Sequence, residues 1–178
     1  MRWRKWKNAV HFTKNKDLYD KMEKLRILFI CHGNICRSPM AEFVMKDLVS
    51  KAGLEDCFYI ESAATSMEEL GNSVYPPARR ILAEHGIGCS GKTARQVTRR
   101  EYDQWDLLIC MDQRNIRNLM RIIGDDPENK CHLLLDYADR PGEEVDDPWY
   151  SGDFRTTWAD VYAGCSGILE QYQNGELL

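Results

Sequence analysis

The sequence predicts a three-layer α/β fold, a four-stranded parallel sheet with helices on both faces, in a chain of 178 residues. Three observations carry that prediction. Four short apolar runs, 25–30, 57–64, 107–111 and 131–135, alternate with stretches of helical periodicity, the pattern that buries a parallel sheet between helical layers. The size and the 43% hydrophobic fraction suit one domain with a proper core. The first run passes through a tight loop straight into a helix, and in open α/β sheets ligands sit outside the carboxyl ends of the strands.

Residues 1–21 stand apart from the rest. Positions 1–16 hold six basic side chains (Arg2, Arg4, Lys5, Lys7, Lys14, Lys16), Trp3 and Trp6, and no acidic residue. The apolar stretch 9–12 is too short for a secretory signal. The segment reads as a poorly ordered basic extension, or as an arm for a membrane surface or an anionic partner.

The first strand, 25–30, is apolar and β-branched. Beyond the loop 31–37, Ala41, Val44, Met45, Leu48 and Val49 share one helical face. Ser38 is expected to cap that helix, with Pro39 in its first turn. The second strand, 57–64, leads through a polar loop to a helix begun by Pro76 and Pro77 and ended by Gly86. His85, on the same face as Ala78, Ile81 and Leu82, reads as a cap or dipole partner rather than a catalytic base. Thr98 and Glu101 have capping-box spacing and should start a short helix. The third strand, 107–111, ends at Asp112, whose expected role is to cap a helix over 113–123. After the fourth strand an acidic loop, 136–153, precedes a last helix beginning near Thr156 or Thr157. Its Trp158, Val161, Tyr162, Cys165, Ile168, Leu169 and Tyr172 form a core-facing stripe.

Composition narrows the function. A net charge of −4 implies no nucleic-acid affinity for the body of the chain, and no apolar run is long enough to span a bilayer. Seven cysteines, odd in number and unclustered, fit reduced thiols in a cytoplasmic protein better than a disulfide scaffold. No pair has C-x-x-C spacing, which argues against zinc.

The chemistry gathers in C-H-G-N-I-C-R-S-P, residues 31–39. A strand entering a helix through a curled loop points backbone N–H groups and the positive helix end at one spot, a cradle for a phosphate-like oxyanion. Gly33 and Asn34 are the residue types that tolerate the positive φ such a loop needs. Arg37 can grip two oxygens with its fork, and Cys31 sits in the same positive field, which favours thiolate. Ser38 can add a hydroxyl hydrogen bond to the sulfur. With seven cysteines and 14 arginines, C-x5-R alone is expected by chance about half a time. Strand before, Gly-Asn within and Ser-Pro plus helix after give it weight.

The string C-H-G-N-I-C-R-S-P-M-A-E resembles the active-site loop of the low-molecular-weight protein tyrosine phosphatases, and the match runs on through Leu169. The resemblance implies a doubly wound sheet of order 2-1-3-4 over residues 22–178, with Met22, where such chains commonly begin, as the working start. It implies hydrolysis of a phosphotyrosine protein or aryl phosphate through a phosphocysteine, with inorganic phosphate as product. Cys31 would attack, Arg37 would bind phosphate, and Asp147, in D-P-W-Y, would be the general acid and base. His32, Gly33, Asn34, Ile35, Cys36 and Ser38 would complete the phosphate site. Trp149 and Tyr150 would stack on the substrate ring or pack under the loop. The acid has a chemical reason: phenolate leaves poorly unless its oxygen is protonated, and the resulting carboxylate can activate water. Asp146 is the local rival. Chemistry of this kind rests on positioning and charge, so no cofactor is expected, and the expected state is a monomer or weak dimer.

Two departures stand out. Glu68 occupies a wall where an aromatic is usual, and Lys92 stands where a histidine buttress for Asn34 is common. Arginine-phosphate phosphatases and thiol-coupled arsenate reductases share the fold. The former tend to have threonine at the place of Ile35, and the latter need a second cysteine pair that 57, 89, 110, 131 and 165 do not supply. A catalytically silent phosphotyrosine-binding module would have no use for Cys31 and Asp147. Cys36 reads either as a partner forming a reversible disulfide with Cys31 or as a small core filler.

Overall fold

In chain order the elements are β1 (Leu25–Cys31), α1 (Arg37–Lys51), β2 (Phe58–Ala64), α2 (Pro76–Glu84), β3 (Leu107–Cys110), α3 (Gln113–Ile123), β4 (Cys131–Leu133), α4 (Pro148–Ser151) and α5 (Phe154–Gln173). The structure, a computed structural model, describes residues 24–177. The segment 1–21 and Met22 lie outside the described residues.

β1 is buried along nearly its whole length because it lies inside the sheet. The order is β2-β1-β3-β4 and every pairing is parallel, as the resemblance implied. Successive side chains of a strand point to opposite faces, and β1 sorts accordingly. Leu25, Ile27 and Phe29 join Val44, Met45, Leu82, Val161 and Ile168 of α1, α2 and α5 in one core. Leu28 and Ile30 join Leu119 and Ile123 of α3, with Tyr102 and Trp105, in the other. Three layers result, and the carboxyl end of β1 opens between them at Cys31.

Several boundaries differ from expectation for local reasons. α1 begins at Arg37 with Cys36 at the N-cap, so Ser38 is not the cap; its hydroxyl is used in the loop described below. Pro39 still falls in the first turn, where no N–H partner exists to lose. Cys57 ends a single 3-10 turn before β2, and β4 gives way after three residues to a 3-10 turn, Leu134–Ala138. The Thr98–Glu101 capping box forms but starts a 3-10 helix, Arg99–Gln104. α5 starts earlier than Thr156 because the Asp153 carboxylate accepts from the N–H groups of Arg155 and Thr156 at 3.1 and 3.0 Å. Within its stripe Val161, Cys165, Ile168 and Tyr172 are buried, whereas Tyr162 is exposed.

α5 packs closely on the 134–138 turn because Gly164 and Gly167 lack side chains. A methyl group on Gly167 would meet the Tyr137 carbonyl, and one on Gly164 would meet Leu134. Among the described residues no helix is long and apolar enough to cross a membrane.

Candidate active site

The loop after β1 curls because Asn34 adopts the left-handed conformation, with φ of 57°. Gly33 does not; its need for glycine is one of space, since a Cβ there would lie 3.2 Å from the Glu69 Cγ. The outer side of the loop is tied down by backbone bonds. Thr65 N–H donates to the Cys31 carbonyl at 2.9 Å, Ser66 N–H to that of His32 at 3.0 Å, and Tyr75 N–H to that of Ile35 at 2.8 Å.

Inside the curl the Cys31 Sγ lies 3.0 Å from the Ser38 Oγ and accepts from the Asn34 N–H at 3.3 Å. Asn34 fixes the direction of the protons around it. Its Nδ2 donates to both Ser38 Oγ and Ser62 Oγ at 2.8 Å, which leaves the Ser38 proton to be shared between the sulfur at 3.0 Å and the Ala63 carbonyl at 3.5 Å. Its Oδ1 accepts from the Arg95 N–H at 3.2 Å. Ser62 in turn donates to the Glu42 Oε2 at 2.6 Å. Glu42 is buried but paired with Lys92 at 2.9 Å and Lys46 at 2.5 Å. Burial alone would raise its pKa; the two lysines and Ser62 outweigh that and lower it. Lys92 also donates to the Ser62 carbonyl at 3.0 Å. The asparagine is thus buttressed through Ser62, Glu42 and Lys92 in place of a histidine.

Arg37, the first residue of α1, is buried with its guanidinium between two loops. Nη1 donates to the Asp112 Oδ2 at 2.6 Å and the Val145 carbonyl at 3.0 Å, and Nη2 to the Asp147 Oδ2 at 2.6 Å. Burial would lower its pKa, but the charges of Cys31, Asp147 and Asp112 outweigh that and raise it. The group is a permanent cation beside the sulfur. Asp112 caps α3 as expected, its Oδ1 accepting from the Asn115 N–H at 2.6 Å, but its second oxygen holds Arg37, a role the sequence reading missed. The available signal was its place at the carboxyl end of the strand next to β1.

Asp147 is both the N-cap of α4, accepting from the Trp149 N–H at 3.1 Å, and the ion partner of Arg37. Of the rival, Asp146, the carbonyl accepts from Thr157 at 3.4 Å, and it is the Asp147 carboxylate that reaches the arginine. Trp149 and Tyr150 are 54% and 79% exposed and do not pack beneath the loop; Trp149 leans on Tyr75 with ring centroids 5.2 Å apart. Cys36 is buried, and burial, with the charges of Cys31 and Asp147, pushes its thiol pKa far up, so it stays protonated. All seven cysteines are free. His85 caps α2 through the Ile81 carbonyl at 2.9 Å and stacks on Trp158, away from the loop. His32 Nε2 pairs with Glu68 at 3.0 Å.

A cysteine sulfur, a fixed cation and a carboxylate from a second loop therefore meet at the mouth of one curled loop. The family model of the low molecular weight phosphotyrosine protein phosphatases matches residues 26–176. Low molecular weight protein-tyrosine-phosphatase YfkJ of Bacillus subtilis is 37% identical over 155 residues, covering 86% of this chain and 99% of that protein. Its crystal structure superposes with a TM-score of 0.82 at 36% identity, over 86% of this chain and 97% of the other. The low molecular weight phosphotyrosine protein phosphatase of Gallus gallus is 37% identical over 82% of this chain and 94% of its own. A crystal structure of DARP, a drosophila arginine phosphatase, superposes with a TM-score of 0.76 at 28% identity, over 84% and 98%.

Proposed function

The chain belongs to the low molecular weight phosphotyrosine protein phosphatase family, and from that membership and the loop geometry we propose that it hydrolyses phosphotyrosine in proteins through a phosphocysteine. The observation that carries this reading is the Cys31 sulfur held by Asn34 and Ser38 beside a guanidinium shared with Asp147. The Cys31 thiolate attacks phosphorus as the P–O bond to the phenol breaks, and Asp147 gives its proton to the leaving oxygen. Asp147, now carboxylate, takes a proton from the water that attacks phosphocysteine; phosphate leaves and the thiolate returns. Incoming phosphate oxygens take over the Arg37 Nη2 that Asp147 holds; the released carboxylate takes up a proton, brought by the phosphate monoanion or by solvent, and turns toward the substrate as the acid. His32, Gly33, Asn34, Ile35, Cys36 and Ser38 line the cradle, and Trp149 and Tyr150, both exposed beside it, take the aryl ring.

Several further points belong to the same proposal. Residues 22–178 form the phosphatase domain, acting in the cytoplasm as a monomer or weak dimer, with 1–21 as an extension. Cys36, five residues on in the same loop, gives up its proton to attack a peroxide-generated sulfenic acid on Cys31, and the S–O bond breaks to leave a disulfide and water; a Cys36→Ser variant that recovers from peroxide as fully as wild type would remove that role. An arginine-phosphate substrate is disfavoured by apolar Ile35 in the cradle and by the names of the sequence relatives.

p-Nitrophenyl phosphate tests the whole reading. Turnover is expected in reducing buffer, abolished by Cys31→Ser and slowed on the order of a hundredfold or more by Asp147→Ala. Because Asp147 competes with phosphate for Arg37, Asp147→Ala should also bind inorganic phosphate more tightly. A wild-type protein inert toward aryl phosphates would sink the assignment.

A further inference from the structure

We propose that Glu68 gives this enzyme a one-sided preference for phosphotyrosine with a basic residue on the flank that lies against the 65–70 turn. The proposal rests on the phosphatase reading and names the class of substrate for that same site. The turn is fixed to the catalytic loop by the Thr65 and Ser66 amides on the Cys31 and His32 carbonyls. Two residues on, the Glu68 carboxylate reaches back to His32 Nε2 at 3.0 Å while its side chain stays 71% exposed. It therefore stands at the mouth, beside the residue that follows the nucleophile. Glu69 reinforces it, with its Cγ against Gly33 and its Oε2 accepting from Asn72 at 2.7 Å. Among the described residues neither carboxylate has a lysine or arginine ion partner, so this wall keeps negative charge facing solvent.

The other side of the mouth differs. Trp149 leans on Tyr75, whose amide donates to the Ile35 carbonyl, and the two rings border a groove of about 730 Å³ whose charged lining is balanced, Arg80 and Arg155 against Glu84 and Asp153. Arg155 is paired with Glu84 at 3.3 Å. A peptide anchored by its phosphate in the loop lays one flank on the Glu68 and Glu69 carboxylates and the other along a groove whose charges cancel. Charge placed this way selects partners by attraction and by like-charge repulsion. The contact is solvent-exposed, so the expected discrimination is about fivefold rather than thousands.

The test is kcat/KM on phosphotyrosine peptides carrying lysine or glutamate immediately before or immediately after the phosphotyrosine, for wild type, Glu68→Gln and Glu68→Lys. Each value is normalised to p-nitrophenyl phosphate turnover by the same variant. Wild type should favour lysine over glutamate about fivefold on one flank. Glu68→Gln should remove most of that ratio, Glu68→Lys should invert it, and raising salt from about 0.05 to about 0.5 M should compress it. No preference in wild type, or an equal preference on both flanks that survives both substitutions, overturns the proposal while leaving the phosphatase intact. Wild type that turns over neither p-nitrophenyl phosphate nor any peptide overturns the phosphatase reading and this proposal with it.

Discussion

Asp112 uses its two oxygens for two purposes, one on the first turn of α3 and one on the buried Arg37. An asparagine caps a helix about as well as an aspartate, so Asp112→Asn keeps α3 capped while replacing an anion against the guanidinium by a neutral amide. In the proposed mechanism Arg37 binds the phosphate, and a misplacement of about 1 Å in such a group is costly to positioning. A fall in kcat/KM on p-nitrophenyl phosphate of about ten- to a hundredfold is expected, with helix content unchanged by circular dichroism. Full activity would mean that the Val145 carbonyl and the bound phosphate suffice to hold Arg37. Cys31 and Arg37 were legible in the sequence because one loop and one helix start bring them together, and Asp147 was legible through the Asp-Pro-Trp-Tyr string. The grip of Asp112 on Arg37 was not, because 75 residues separate them and the local pattern already offered a sufficient role in the cap.

At the scale of elements, α1, β2 and the segment before β3 are joined by Glu42, Ser62 and Lys92 behind Asn34. The sequence showed that the usual histidine was missing but not what replaced it, since Glu42 lies on a helix whose pattern gives no hint of a buried charge. The folded-state pKa of Glu42 is depressed, so the unfolded chain binds its proton more readily. Its contribution is fully present above the unfolded value, about 4.3, and is lost as pH falls through the folded one. Glu42→Gln should therefore cost about 3 kcal/mol at neutral pH, the scale of breaking a buried pair, and flatten the acid side of the urea-midpoint profile. An unchanged acid limb would place the titration elsewhere. Helix α5 carries the opposing case. Gly167→Ala gains up to about 1 kcal/mol of helix propensity, but the methyl meets the Tyr137 carbonyl, which as backbone yields little. The collision wins, with a net loss of about 2 kcal/mol, read as a fall in Tm of about 6 °C; a rise in Tm would show that α5 can move off the turn.

For the molecule as a whole, the α/β class was legible because alternating apolar runs and amphipathic stretches allow few other packings. Strand order was not legible from the pattern, since nothing local says whether β3 lies beside β1 or beside β2; the family resemblance supplied it. Helix starts slipped where a side chain was claimed by tertiary structure, as with the Ser38 hydroxyl on the Cys31 sulfur. The same whole-molecule geometry bears on residues 1–21. β1 begins at Leu25, which is fully buried, and the sulfur, the guanidinium, both carboxylates and the Asn34 buttress all come from residues 31–147. A chain starting at Met22 is therefore expected to turn over p-nitrophenyl phosphate within about twofold of the full chain. Residues 1–21 carry seven lysine and arginine side chains. If they serve an anionic partner, the two chains should differ on an acidic phosphoprotein or an anionic vesicle at low salt, and that difference should vanish as salt shortens the screening length. Loss of small-substrate turnover on deleting 1–21 would instead make the extension part of the catalytic fold.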